Sequence, residues 1–355
     1  MGTSGSQLDG EQTGVRLDAW ATEAPEAPYF DNKFNAWILG RYTDVAAALR
    51  ESRLVPASAR STAAVPMDSA IHAQFRSRAF RALAPGRLRH LEAQFAPIAN
   101  RMAGALPTGR PVDLMQQYAK PWSLEVARIA ADVPAGQCEQ LSVLARKIFE
   151  AACEPYDTAA DAAARKATVE LTRFFDGAPP LNMQMFIALA HSLPCFLGTA
   201  WLALLQYPAE VSHLRQEPAL LPSAIDELLR FAGPARVQFR QAVASVTISG
   251  CTIQQHKLVI LRLDTANRDP RQFPDPNELH FDGRTRGHLA FGTGLHGCVG
   301  EMLVKSAAAT ATKVLIDCFS LPERYTALLA DCFAMRCLKS LVVLLRPVSA
   351  ARSEP

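Results

Sequence analysis

Apolar positions recur along this chain mostly at helical spacing, with short stretches of strand period. The run AWILGR (Ala36 to Arg41) predicts a strand, and YTDVAAALRES after it carries an apolar stripe that predicts a helix. A Pro/Ser/Ala-rich loop, LVPASARSTAAVPMDS, separates these from a predicted helix over IHAQFRSRAFRAL. From Tyr118 to Phe175 the period is helical throughout, with breaks near Pro134 and Pro155; DGAPP is a turn, and a long apolar helix follows it. SAIDELLRF is a further helix. From Pro234 to Arg240, and on through AVASVTISGCTIQQHKLVILRLDTANRDP, the pattern turns to period two with a glycine break, so strands are expected, as they are around LKSLVVLL. The fold class is mainly α with a small β portion. Residues 1–20 read as a loose polar arm, and residues 21–355 as a single domain.

Composition narrows the class without naming a function. Of 355 residues, 49% are hydrophobic and 20% charged, as in globular proteins, and a net charge of +3 points to no particular partner. The eight cysteines show neither CxxC pairs nor His/Cys zinc spacing, so neither a disulfide framework nor a zinc site is expected. Scattered thiols suit a reducing cytoplasm. The opening MGTSGSQLDGEQTG has no apolar core of a signal peptide. Met183 to Leu205 is long and uncharged enough to span a membrane, but Gln184, His191, Ser192 and Pro194 interrupt it, and no basic flank frames it. A buried core helix is expected, with no membrane partner.

The chemistry concentrates in FGTGLHGCVG, Phe291 to Gly300, where a loop runs into the helix-patterned GEMLVKSAAATATKVLIDCF. Gly292 and Gly294 permit positive φ and close approach of backbone to a flat ligand. Gly300 keeps the first turn slim. At a helix N-terminus the Cys298 thiol is expected to favour the thiolate, which is a nucleophile, redox centre or metal ligand, and suits the axial position of a haem iron.

Phe291, Gly292, Gly294, His296, Cys298 and Gly300 resemble the cysteine-loop signature of the cytochrome P450 family, the haem-thiolate monooxygenases. The likeness runs from about Trp37 to the C-terminus. It implies the cytochrome P450 fold and heme b (iron protoporphyrin IX) with Cys298 as iron ligand. His72 and Arg76, at i, i+4 on one helix face, resemble the family's pair for the haem propionates, and Arg240 and His296 match further propionate contacts. Glu227-x-x-Arg230 resembles the family's buried ExxR pair, a folding element. DTANRDPRQFPDP also matches, but NELHFDGR lacks the arginine that completes a Glu-Arg-Arg cluster in many members, with His280 a candidate substitute. His288 fits the HLAFG usage. Val237 would line the substrate side.

Two departures stand out. The loop before His72 and the stretch between Phe175 and Met183 are short, both on the substrate side, so the pocket there is expected to be wider or covered by something else. The central helix places Ala188, Leu189, His191 and Ser192 on the family's small-Gly-x-acid-Thr motif, whose acid and alcohol deliver protons to dioxygen. The hydroxyl is kept; the acid becomes a histidine that titrates near neutrality, and Pro194 supplies a kink. His191 and Ser192 as ordinary core polar residues is the other reading.

The arginines at 76, 78, 81, 87 and 89 form one basic stretch, either a solvated face or a docking surface for an acidic donor. No aromatics interleave with it, so nucleic acid is not expected. Three functions stay open. One is an oxygenase acting on a small organic molecule with electrons from a ferredoxin and ferredoxin reductase. Another is a peroxygenase or a rearrangement or dehydration catalyst. The third is a non-catalytic haem-based ligand-binding protein.

Overall fold

The computed structural model describes residues 24–57, 69–177, 180–283, 286–322, 324–330 and 332–348. The N-terminal arm, and the loop that precedes His72, lie outside them.

The helix Pro180–Gln206 forms the axis of the molecule. It runs on through Pro194, and most of its apolar length is buried inside the protein, which is why a membrane-length sequence sits here. Helices Lys120–Ala130, Cys138–Cys153, Leu221–Ala232 and Glu301–Cys318 pack around it. Its packing against Leu221–Ala232 and Glu301–Cys318 pairs apolar burial with satisfied polar groups. Tyr118 and Trp201 stack at 5.4 Å, and Trp201 Nε1 donates to Thr312 Oγ1 at 3.1 Å. Thr199 Oγ1 donates to Ala232 O at 2.7 Å, tying the axial helix to the end of Leu221–Ala232. Buried hydroxyls and indoles without partners would each cost about 1–3 kcal/mol, so these bonds fix which helix faces meet.

Strands predicted by period two form, with turns where glycine allows them. Val237–Ala242 pairs antiparallel with Leu258–Arg262, and the hairpin Val246–Ile248/Cys251–Ile253 turns at Ser249 and Gly250, both at positive φ. Leu258–Arg262 also pairs in parallel with Ala36–Leu39, with Ala36 opposite Leu258 and Leu39 opposite Leu261. That register brings the N-terminal strand beside the stretch that leads to the cysteine loop. Tyr29–Asp31 and Leu54–Pro56, too short for a periodic signal, flank this five-stranded sheet. A second sheet joins Tyr325–Leu329, Leu338–Leu344 and Pro111–Asp113. The turn between its first two strands bridges back to the first sheet, Ala235 opposite Met335.

Candidate active site

The cysteine loop is folded by its own backbone. Gly292 N donates to Leu289 O and Cys298 N to Phe291 O, both at 2.9 Å, so residues 291–298 close on themselves. Gly292 and Gly294 sit at φ +66° and +72°. A Cβ on Gly294 would also stand 3.0 Å from Leu49 O and 3.1 Å from Arg50 Cα, so the loop rests directly on the end of helix Tyr42–Arg50. Gly300 is the residue before helix Glu301–Cys318, and its Cβ would lie 3.8 Å from Cys298 Sγ.

Cys298 is exposed to solvent at its surface yet walled by surrounding protein. The expected lowering of its thiol pKa is not found. Desolvation by that wall raises it; the Gly300 backbone N–H works the other way, while the Glu301 carboxylate adds to the rise. A metal-free site therefore holds the thiol, and a bound cation would have to displace its proton.

At the cysteine loop two arginines and two imidazoles gather, and none of the four pairs with a carboxylate among the described residues. His72 and His296 rings lie 4.6 Å apart, and Arg76 Nη1 donates to Gly297 O at 2.8 Å. Arg240 is buried; it donates to Phe239 O and to Gln238 Oε1, but its Nε is buried without a partner. Burial pushes the Arg240 guanidinium down to about 10. His296 is pushed down to about 4 by burial and by His72, Arg240 and Arg76 together. Neither Arg76 nor Arg240 forms an ion pair among the described residues. Buried cations without counter-charge are costly. An orphaned buried guanidinium, an arginine and two imidazoles beside a reachable thiol fit a haem: Cys298 for the iron, and the two arginines with the two imidazoles as N–H donors for two carboxylates.

Behind the loop, Glu227 and Arg230 are both buried. Arg230 uses every N–H: Nε and Nη2 on Glu227 at 2.7 and 2.6 Å, and Nη1 and Nη2 on the carbonyls of Asn267, Pro276 and Glu278. The missing second arginine is not replaced by the His280 side chain. His280 offers Glu227 Oε1 its backbone N–H at 3.1 Å, while its ring Nε2 is buried without a hydrogen bond. Arg268 is the cation that sequence reasoning missed. It is buried, donates to Asn277 Oδ1 and Phe231 O, and stacks over the Phe231 ring at 4.0 Å. His288, Asp226 and Lys305 brace the next layer: Lys305 Nζ lies 2.7 Å and His288 Nε2 3.8 Å from Asp226. These contacts hold the Asp226 carboxyl down at about 2.

On the central helix, His191 turns to helix Cys138–Cys153. Its Nε2 meets Ser142 O at 3.1 Å, and the ring stacks with Phe149 at 5.7 Å. Burial pushes its pKa down to about 4, so the expected titration near neutrality is moved out of that range. Ser192 is half-buried and makes no hydrogen bond among the described residues. Leu189 is buried in the main core, Ala188 is exposed, and Val237 is half-buried beside Ile38 and Ile260.

Known proteins share this arrangement. The family model described as cytochrome P450 matches residues 212–323, which hold the Glu–Arg helix and the cysteine loop. The 6-deoxyerythronolide B hydroxylase of Saccharopolyspora erythraea is 38% identical over 35% of this chain, a match spanning 30% of that protein. The Vitamin D(3) 25-hydroxylase of Pseudonocardia autotrophica is 29% identical, with 76% of this chain and 77% of that one covered. Among solved structures, HmtT, involved in himastatin biosynthesis, superposes with a TM-score of 0.79 over 92% of this chain and 96% of that one, at 22% identity. The ligand-free P450 monooxygenase TamI gives 0.69 at 27% identity, over 87% and 84%. The chain is thus similar to cytochrome P450 proteins in sequence over its C-terminal part and in fold over most of its length.

Proposed function

We propose that this protein is a haem-thiolate monooxygenase of the cytoplasm. It oxidises a small apolar organic molecule of the secondary-metabolite kind, using dioxygen and electrons from a ferredoxin-type donor. The observation that carries this is the cluster of His72, Arg76, Arg240 and His296 beside Cys298, in which neither arginine has an ion-pair partner among the described residues. Relatives named as hydroxylases of 6-deoxyerythronolide B and vitamin D(3) support the substrate class. When bound, heme b supplies the one-electron and dioxygen chemistry that no side chain can. The chain's own residues do the rest. Cys298 would hold the iron, Arg76 and Arg240 with the His72 and His296 rings would hold the propionates, and Glu227 with Arg230 keeps the wall behind the loop rigid. The Ser192 hydroxyl, unengaged by the protein, passes protons. His191 is neutral at physiological pH, and it fixes the helix turn that carries Ser192.

The test is spectroscopic first. The reduced, CO-bound protein should show the long-wavelength Soret band of thiolate ligation, and Cys298→Ala should lose it. A band that survives the substitution would refute the ligand assignment. Reductase-driven product formation then separates the enzyme from a non-catalytic binder.

A second reading rests on His191. With Nε2 committed to Ser142 O and no carboxylate at this position, the usual proton donor is gone, which favours an enzyme that takes peroxide or needs no oxidant. If Ser192 passes protons, Ser192→Ala should consume reductant and release hydrogen peroxide with little product. If that variant is silent and peroxide or substrate alone supports turnover, the second reading stands.

A further inference from the structure

Four of the eight cysteines, far apart in sequence, come together where the second sheet's turn meets two helices. Cys153 ends helix Cys138–Cys153; Cys195 lies one helical turn beyond His191; Cys332 and Cys337 belong to the turn between strands Tyr325–Leu329 and Leu338–Leu344. The sulfurs of Cys153, Cys332 and Cys337 all lie within 4.8 Å of one another, and Cys195 Sγ lies 2.6 Å from Cys337 Sγ. Cys153, Cys195 and Cys337 are buried, and Cys332 is half-buried.

The backbone around them is fixed independently of the sulfurs. Ala334 N donates to Cys153 O at 3.0 Å, Phe333 N to Glu154 Oε1 at 2.8 Å, and Ala330 N to Cys337 O at 2.8 Å. Cys153, Cys332 and Cys337 are thus brought to one point by a docked turn and a helix end, and Cys195 of the central helix reaches this group through Cys337. One disulfide would use two of them and leave two uncoordinated, although Cys195 Sγ also has a carbonyl acceptor in His191 O at 3.2 Å. A tetrahedral d¹⁰ cation with sulfur at about 2.3 Å spaces its ligands about 3.8 Å apart and uses all four. Charge also fits. Four thiolates around a divalent cation carry two net negative charges, and Arg236 and Lys339 act on Cys332 as cations. Arg236 also donates to Cys332 O at 3.4 Å, and the one carboxylate on its other side, Asp264, is shared with Arg262 and Arg336.

We propose that Cys153, Cys195, Cys332 and Cys337 bind one zinc ion as a closed structural site, separate from the haem iron. Binding exchanges each S–H proton it displaces for a Zn–S bond, with no change of oxidation state. The ion pins the 330–337 turn to the end of helix Cys138–Cys153 and to the central helix. That turn also contacts Pro234 to Val237, through Arg236 N on Ala334 O and Arg336 N on Pro234 O. Phe333, beside the cysteines, packs against Phe34, Tyr156 and Phe239.

The experiment uses the haem-loaded protein, expressed with zinc and purified anaerobically under reductant. Metal analysis should give about one zinc per haem iron, and zinc X-ray absorption should give a sulfur-only first shell near 2.3 Å. Cys332→Ser should drop zinc below a tenth of an equivalent, whereas Cys251→Ser, outside the cluster, keeps it, and Cys298→Ala keeps zinc while losing the thiolate band. Should Cys332→Ser fail to fold, the wild-type stoichiometry and sulfur shell decide alone. Trace zinc only, a nitrogen or oxygen shell, or a Cys195–Cys337 disulfide in non-reducing peptide mapping would each overturn the proposal.

Discussion

At the scale of single residues, the Glu227–Arg230 pair was legible because ExxR stood at the right distance ahead of the cysteine loop. Its partners were not, since the three carbonyls that saturate Arg230 come from residues 37 to 48 positions later. Glu227→Ala should therefore cost about 3–5 kcal/mol, because it strands a buried cation whose carbonyl partners supply no counter-charge. Urea midpoints of the haem-loaded variant check this; unchanged stability with altered substrate preference would contradict it. His191 gives a pH prediction whose sign follows from its burial. The folded ring titrates at about 4, below its ordinary 6.5, so between these values the unfolded chain binds a proton that the folded one refuses. Stability then falls as pH drops through 6.5 and levels near 4. His191→Gln, which keeps an N–H for Ser142 O, should remove up to about 3 kcal/mol of that acid sensitivity. Parallel stability curves for the two proteins between pH 7 and 4 would show that His191 is not the group responsible.

Among elements, period and glycine placement made the cysteine loop and its helix readable, because the signal is local: two positive-φ glycines, one thiol and an apolar helix in sequence. Gly294 carries the tightest constraint. Gly294→Ala adds left-handed strain of about 1–3 kcal/mol and forces Leu49 O and Arg50 away. Haem occupancy should fall while the loaded fraction keeps its thiolate band. Gly86→Ala, on helix Pro85–Gly104 with nothing near its Cβ, is the control and should be neutral or stabilising. Equal occupancy in both variants would remove the loop-seating role. The cysteine cluster could not be read this way. Cys153, Cys195, Cys332 and Cys337 have no motif spacing, because helices 42 residues apart and a turn from the second sheet deliver them. Short strands such as Pro111–Asp113 were hidden for the same reason: pairing with Leu338–Leu344 creates them, not propensity.

For the whole molecule, the basic stretch resolves into distinct roles. Arg76 reaches Gly297 O one residue from Cys298, and Arg87 pairs with Asp132 at 2.8 Å. Arg78, Arg81 and Arg89 are exposed and meet no acid among the described residues. Arg78 and Arg81 share helix Ser69–Ala82 with Arg76 but point away from the face that carries Arg76 to the cysteine loop. A chain with a net charge of only +3 thus presents three exposed arginines here that meet no acid among the described residues, a candidate docking charge for the proposed electron donor. Charge of that sign steers an acidic donor and raises its encounter rate without lowering any chemical barrier. Reversing Arg78, Arg81 and Arg89 to Glu should slow reduction by an acidic ferredoxin by about 10-fold or more at low ionic strength. The gap should close as salt shortens the Debye length to a few ångströms. Substrate binding and the thiolate band should be untouched, since none of the three is placed at the haem or the pocket. Stopped-flow reduction across a salt series makes the decision. A salt-independent rate equal in both proteins would return these arginines to an ordinary solvated face.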